Sequence, residues 1–142
     1  MLENGNYMPS IIKYFQSCLM RAKVLRHDQD IELSGLFACY ENYKVTWGEG
    51  WTAKNIGDVL LHIDNDHLSD AEVWFQKAIE ADRRNGLRWA LARDHAFYAD
   101  FFKKKGDIQG AKEQLTKAID LFKECGADGW VTRTEKTLAS LT

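Results

Sequence analysis

The chain has 142 residues, 45% hydrophobic and 28% charged, with a formal net charge of −2, which fits one ordinary folded domain. The near-neutral balance excludes the basic surplus that a phosphate backbone demands, so nucleic acid is not an expected partner. No apolar run approaches the roughly 20 residues of a membrane span. The polar start Met1-Leu2-Glu3-Asn4-Gly5-Asn6 lacks the basic-then-apolar order of a signal peptide, so no membrane role and a cytoplasmic location are expected.

Read in chain order, the first predicted element is a helix from Pro9 to Leu25, preceded by the turn Gly5-Asn6-Tyr7. Pro9 is the only proline of the chain, which leaves long helices unbroken elsewhere. Over residues 27–50, Leu33, Leu36, Phe37, Tyr40 and Trp47 share a face and predict a further helix of about four turns or more. Gly48-Glu49-Gly50 should break or bend the chain before the helix Trp51–Ile63; one kinked helix and two separate helices both remain open for 29–63. The polar turn Asp64-Asn65-Asp66-His67-Leu68 follows. Ser69 then reads as an N-cap with Glu72 three residues on, a capping box. Asn85-Gly86 ends that helix. The next runs from Leu87 to Lys105, where Lys103-Lys104-Lys105 complement the carbonyl end of the helix dipole ahead of Gly106. After Gly126 a last amphipathic helix spans Asp128–Leu141, with Trp130, Thr134, Leu138 and Leu141 on one face.

Three of these segments stack on one pattern: Ile11, Phe15, Cys18; Ala71, Phe75, Ala78; Ala111, Leu115, Ala118. Steps of four and then three residues put each trio on one helical face. Small residues at the outer places let a neighbouring helix approach, and the larger middle residue fills the gap. The distance from Ala71 to Ala111 is 40 residues and that from Ile11 to Ala71 is 60. The repeated unit is helix–turn–helix, giving approximate units 5–47, 48–86 and 87–126 and a capping helix at 127–142.

The segment Trp51–Ala78 resembles a tetratricopeptide repeat. Ala53, Ile56, Gly57 and Leu60 stand at that repeat's first-helix packing places, and Ala71, Phe75 and Ala78 at those of its second. Tyr98, Ala99, Phe102, Gly106, Ala111, Leu115 and Ala118 match again. The period is nearer 40 than 34 residues, and the usual proline after the second helix is missing. Residues 48–141 are further similar to the C-terminal repeat region of bacterial signalling ATPases, including those fused to nucleotide cyclases. Neither a GxxxxGK[ST] loop nor a cyclase domain is present. The resemblance implies an all-α, right-handed solenoid of antiparallel helix pairs, about six or seven helices in all, and a fragment or truncated relative of a longer array. It also implies a concave surface lined by the first helix of each pair: Trp51, Lys54, Asn55, Asp58 and His62 in one unit, Arg93, Phe97, Asp100 and Lys104 in the next.

Candidate chemistry is sparse. Cys18, Cys39 and Cys125 are odd in number and without a CxxC, which argues against a zinc site or a disulfide framework. His62, Asp64, Asp66 and His67 could hold a divalent ion, but a polar turn capping helix ends is the simpler reading, and no metal or cofactor is expected. Arg93, Asp94 and His95 point about 100° apart on a helix and form no catalytic cluster. The five tryptophans read as inter-helix packing, Trp51 excepted, whose ring could face the concave surface. The expected function is a non-catalytic scaffold holding a protein or peptide partner. The alternatives are a ligand-sensing arm of a signalling ATPase or cyclase, and an oligomerisation module. Tyr14, Phe15, Leu19 and Val24 give the first helix excess apolar surface, so a homodimer through that helix is expected unless 29–47 folds back over it.

Overall fold

A computed structural model describes residues 7–27, 33–41 and 48–141, with first-helix side chains from Gln16 onward. Over these residues the chain is all-helical: α1 (Tyr7–Leu25), α2 (Leu33–Glu41), α3 (Glu49–Ile63), α4 (Leu68–Arg84), α5 (Arg88–Lys105), α6 (Ile108–Glu124) and α7 (Asp128–Ala139). None of these helices is long and apolar enough to cross a membrane.

The small–large–small trios pack as their spacing predicts. Ala71, Phe75 and Ala78 of α4 and Ala111, Leu115 and Ala118 of α6 are all buried. The Phe75 ring lies so close to Gly57 that a Cβ there would stand 3.0 Å from it, which is why α3 carries glycine at that place. Of the first trio, Cys18 is half-buried, while the Ile11 and Phe15 side chains lie outside the described ones, as does that of Cys39. The core joins Ile56, Val59 and Leu60 of α3 to Phe75, Phe101 and Phe122. α3 packs on α4, α5 on α6, α4 on α5, and α7 on α6. Their short connections make sequence neighbours antiparallel.

Three successive turns repeat one hydrogen-bond pattern at a spacing of twenty residues. Gly86, Gly106 and Gly126 all have positive φ. The N–H of the next residue reaches back to the helix, Leu87 to Asp82 O, Asp107 to Phe102 O and Ala127 to Phe122 O, each at 2.9 Å. This is the glycine-ended helix stop, in which a left-handed residue lets the chain satisfy two terminal carbonyls. The α3–α4 turn is built differently. Asp64 Oδ1 accepts from the N–H groups of Asp66 (2.9 Å) and His67 (3.0 Å), and α4 begins at Leu68 with His67 as its N-cap. Ser69 therefore falls inside the first turn and the expected capping box does not form. Glu72 instead accepts from Tyr98 Oη at 2.9 Å. Asp107 does cap α6, its Oδ1 accepting from Gly110 N at 2.8 Å.

Only part of the helix expected over 27–50 lies within the described residues. α2 is described over Leu33–Glu41, and α3 starts at Glu49, before the expected break has ended. Trp47 lies outside the described residues. α2 is tied down by aromatic contacts: Trp74 stacks on Phe37 at 5.7 Å and meets Tyr40 edge-on at 4.8 Å. Tyr40 Oη donates to Glu49, which also receives Arg84 at 3.0 Å. α1 packs on α3 as well as on α2. Val24, expected as exposed dimer surface, is buried in the core with Leu36, whereas Leu19 is 56% exposed. Tyr14 and Phe15 lie outside the described side chains.

Candidate binding face

The residues expected to line an open surface on α3 sit one turn apart, at 51, 54–55, 58 and 62, and so share a side of the helix. Lys54, Asn55 and Asp58 are nevertheless only 4%, 4% and 2% exposed. The cover is α1. Arg21 Nε donates to Asp58 Oδ2 at 2.5 Å, and Asn55 Nδ2 donates to Ser17 Oγ at 3.2 Å. The Arg21 guanidinium also lies 5.1 Å from the Phe97 ring centre on α5. The expectation that Lys54, Asn55 and Asp58 form part of an open surface is thus corrected: the chain's own first described helix occupies Asn55 and Asp58, and Lys54 is buried against the Phe97 ring. His62 remains exposed at the far end, its Nδ1–H bonded to the Asp58 carbonyl at 2.8 Å. Burial alone would raise the Asp58 carboxyl, but the bonds from His62 and Arg21 hold it below the usual carboxylate range. Asp58 in turn raises His62.

Trp51, Lys54, Arg93 and Phe97 do come together, around cations held on rings. The Arg93 guanidinium lies 5.5 Å from Trp51, 5.3 Å from Trp89, 5.6 Å from Phe97 and 5.4 Å from Trp130. Lys54 Nζ lies 4.2 Å from the Phe97 centre. Such contacts place positive charge against the negative faces of the rings. Burial, seconded by the Arg93 charge, lowers Lys54 to about 8.

Beneath this layer lie Asp82 and Asp94, both wholly buried. Among the described residues no other side chain or backbone donor pairs with their oxygens, and the two carboxyls are left to each other. Burial and the Asp82 charge raise Asp94 well above the carboxylate range; burial also raises Asp82, which Asp94 and Lys54 partly offset. Both shifts favour the neutral form of a carboxyl that is buried without a donor. Asp82 rests against the first turn of α3, where a Cβ on Gly50 would lie 2.2 Å from its Oδ1. The positive end of the α3 dipole favours that charge. The pair is sealed from solvent and ties α3, α4 and α5 together rather than facing any cleft.

Past the edge of α1 the surface opens. A cleft of about 230 Å³ is lined by Phe97, Asp100 and Lys103 of α5 and Trp130, Arg133 and Thr134 of α7, among others. Lys103 pairs with Asp100. Arg133 lies 5.2 Å from the Trp130 ring centre, with no carboxylate in ion-pair reach among the described residues. Lys104, expected on the same surface, turns away to the Leu61 carbonyl. Arg133 was not among the expected residues, although a signal for it exists: forty residues, the spacing of Ala71 and Ala111, separate it from Arg93. Ser17 and Arg21 carried no comparable signal, since nothing local says that α1 lands on α3.

A shallow apolar recess of about 470 Å³ lies elsewhere, lined by Trp51, Leu87 and Trp89 among others. His62 and His67 do not converge. His67 Nδ1 is 2.7 Å from Asp64 while His62 faces Asp58, and no set of three metal-ligating side chains gathers among the described residues. Arg93, Asp94 and His95 diverge, His95 Nδ1 donating to Gln114 Oε1 at 2.7 Å on the α6 side. Comparison of the chain with protein families, with curated proteins and with solved structures gives no match.

Proposed function

We propose that the chain is a non-catalytic protein-interaction module of tetratricopeptide-like helix pairs, and that its α5–α7 cleft holds an acidic segment of a partner protein. The observation that carries this reading is the cleft's make-up: an aromatic floor of Phe97 and Trp130 with the Arg133 guanidinium laid over it. A ring-backed guanidinium keeps its planar fork free for a carboxylate, and Trp and Arg are the side chains that most often dominate an interface. Asp100 is the one acid among the residues named in this wall, and Lys103 already neutralises it. The polar Thr134 and Thr137 hydroxyls donate to their own helix, at Trp130 O (2.7 Å) and Arg133 O (3.2 Å), which leaves charge and stacking to make the contact. The test is a titration of the full chain with a Glu-rich decapeptide, read by Trp fluorescence and by chemical shifts of α5 and α7. Saturable binding that Arg133→Glu abolishes and that weakens with salt supports the reading. Equal binding of a Lys-rich decapeptide, or indifference to Arg133→Glu, rejects it.

A second reading, a regulatory arm sensing a small apolar ligand, is favoured by the recess between Trp51 and Trp89. Quenching of the tryptophans by a hydrophobic probe dye, lost in Trp51→Ala and kept in Arg133→Glu, would support it over the first.

A further inference from the structure

Over its described side chains, α1 sits on α3 through a seam richer in polar contacts than the α3–α4 seam. α3 meets α4 through Gly57, Ile56, Leu60 and Phe75, side chains that water cannot replace. α1 meets α3 through Ser17, Arg21, Asn55 and Asp58, joined by hydrogen bonds and one ion pair. Among the described side chains of α1, Val24 is buried and Met20 packs at the edge of the core, while Leu19 and Leu25 face outward at 56% and 45% exposure. When an apolar seam parts, all of its area is lost to water. When a polar seam parts, water takes over the hydrogen bonds, so separation costs much less per unit area. Over residues 16–25, the described part, the seam thus has the composition of a contact between proteins rather than of a core.

The face it covers is also the one continuous with the proposed binding cleft, since Phe97 touches both Arg21 and the cleft. We propose that α1 is an exchangeable occupant of the α3 face, and that the same face accepts a partner helix presenting a small hydroxyl residue, an apolar residue, an arginine and an apolar residue at the spacing of Ser17, Met20, Arg21 and Val24. This pattern of i, i+3, i+4 and i+7 anchors is how a helix reads a receiving surface. Asp58 fixes the arginine, because it is a buried carboxylate that needs a cation. Asn55 fixes the hydroxyl, because its amide needs an acceptor four residues earlier. The inference rests on the reading of the α3–α5–α7 side as a binding surface but uses the half that the acidic segment does not.

Three measurements on the full chain decide it. Hydrogen exchange followed by mass spectrometry should show residues 16–25 opening at least tenfold faster than α4–α6, and faster again in Arg21→Ala with α4–α6 unchanged. Exchange of α1 and α4–α6 at one common rate, in the wild-type chain or the variant, would overturn the proposal by making α1 part of the cooperative core. A synthetic peptide with the sequence of residues 7–27 should bind the Arg21→Ala chain saturably and protect α3, while the same peptide carrying Arg21→Glu should bind at least tenfold more weakly. Absence of binding, or equal binding by the two peptides, would overturn it. Sedimentation of the wild-type chain gives the last outcome: a dimer that Arg21→Glu dissolves would assign the face to α1 of a second copy, against a partner helix. Because the Glu-rich decapeptide reports on Arg133, loss of its binding with α1 exchange intact would remove only the cleft reading, and the converse only this one.

Discussion

The α3 half and the α5–α7 half of one face carry related chemistry in opposite states. On α3 a carboxylate, Asp58, is buried under Arg21 and bonded again by His62. On α5 the corresponding carboxylate, Asp100, is half-exposed and meets only a lysine on its own helix. The difference is not in the residue but in what lies above it. Where α1 covers the helix, ion pair and amide are desolvated and become specific; where nothing covers it, the same type of pair is screened by water and contributes little. The open half keeps Arg133 on the Trp130 ring, and the closed half takes its cation, Arg21, from the chain's own α1.

The largest expected effect comes from removing one wall of the open half. Deleting residues 128–142 takes away Trp130 and Val131 and uncovers Phe122 and Leu121, a loss comparable to a large aromatic truncation, about 3–5 kcal/mol. Thermal melting should fall steeply or the chain aggregate. A deletion variant that melts like its parent would show that α7 caps nothing.

Next come the two carboxylates. Asp58→Ala leaves Arg21 facing an emptied site and should cost about 1–2 kcal/mol, reduced from a fully buried pair because Arg21 reaches solvent. Asp100→Ala should cost no more than about 0.5 kcal/mol. Urea unfolding of both variants checks the contrast, and equal losses would erase it.

Asp94→Asn should stabilise the chain near neutral pH by about 1 kcal/mol, since a neutral amide replaces one of two buried carboxyls that lack a donor. The sign follows from the direction of the shift. A carboxyl raised in the folded state supports folding fully below its unfolded value of 3.8 and loses that support as pH rises through the folded value. Stability of the wild-type chain should therefore decline as pH rises from 3.8 to the folded value, and the variant should decline less. Denaturant midpoints from pH 5 to 8 provide the measurement.

The smallest effect concerns His62. Its raised value means that its bond to Asp58 supports the folded state fully below 6.5, the unfolded value, and less as pH rises through the folded one. After correction for the intrinsic pH dependence of exchange, opening of α1 should be modestly slower at pH 6 than at pH 8, and His62→Ala should flatten the difference. A steeper dependence in the variant would place the titrating group elsewhere.

Much of the frame was legible in the amino-acid sequence. Ala71, Phe75, Ala78 and Ala111, Leu115, Ala118 announce two buried helical faces, and Gly86, Gly106 and Gly126 mark where helices stop, because 3.6-residue periodicity and the need for a left-handed residue are local properties of the chain. The same periodicity puts Asn55 and Asp58 on one side of α3. It could not place Ser69 inside its helix, since the choice between Asp64 and Ser69 as the organiser of that turn depends on where the α3 end leaves Asp64. Nor could it tell which helix covers α3, that Arg93 is shared among four rings, or that Asp82 and Asp94 are buried without a donor. Those are contacts between residues far apart in the chain, set by how helices settle on one another, and only the tertiary structure decided them.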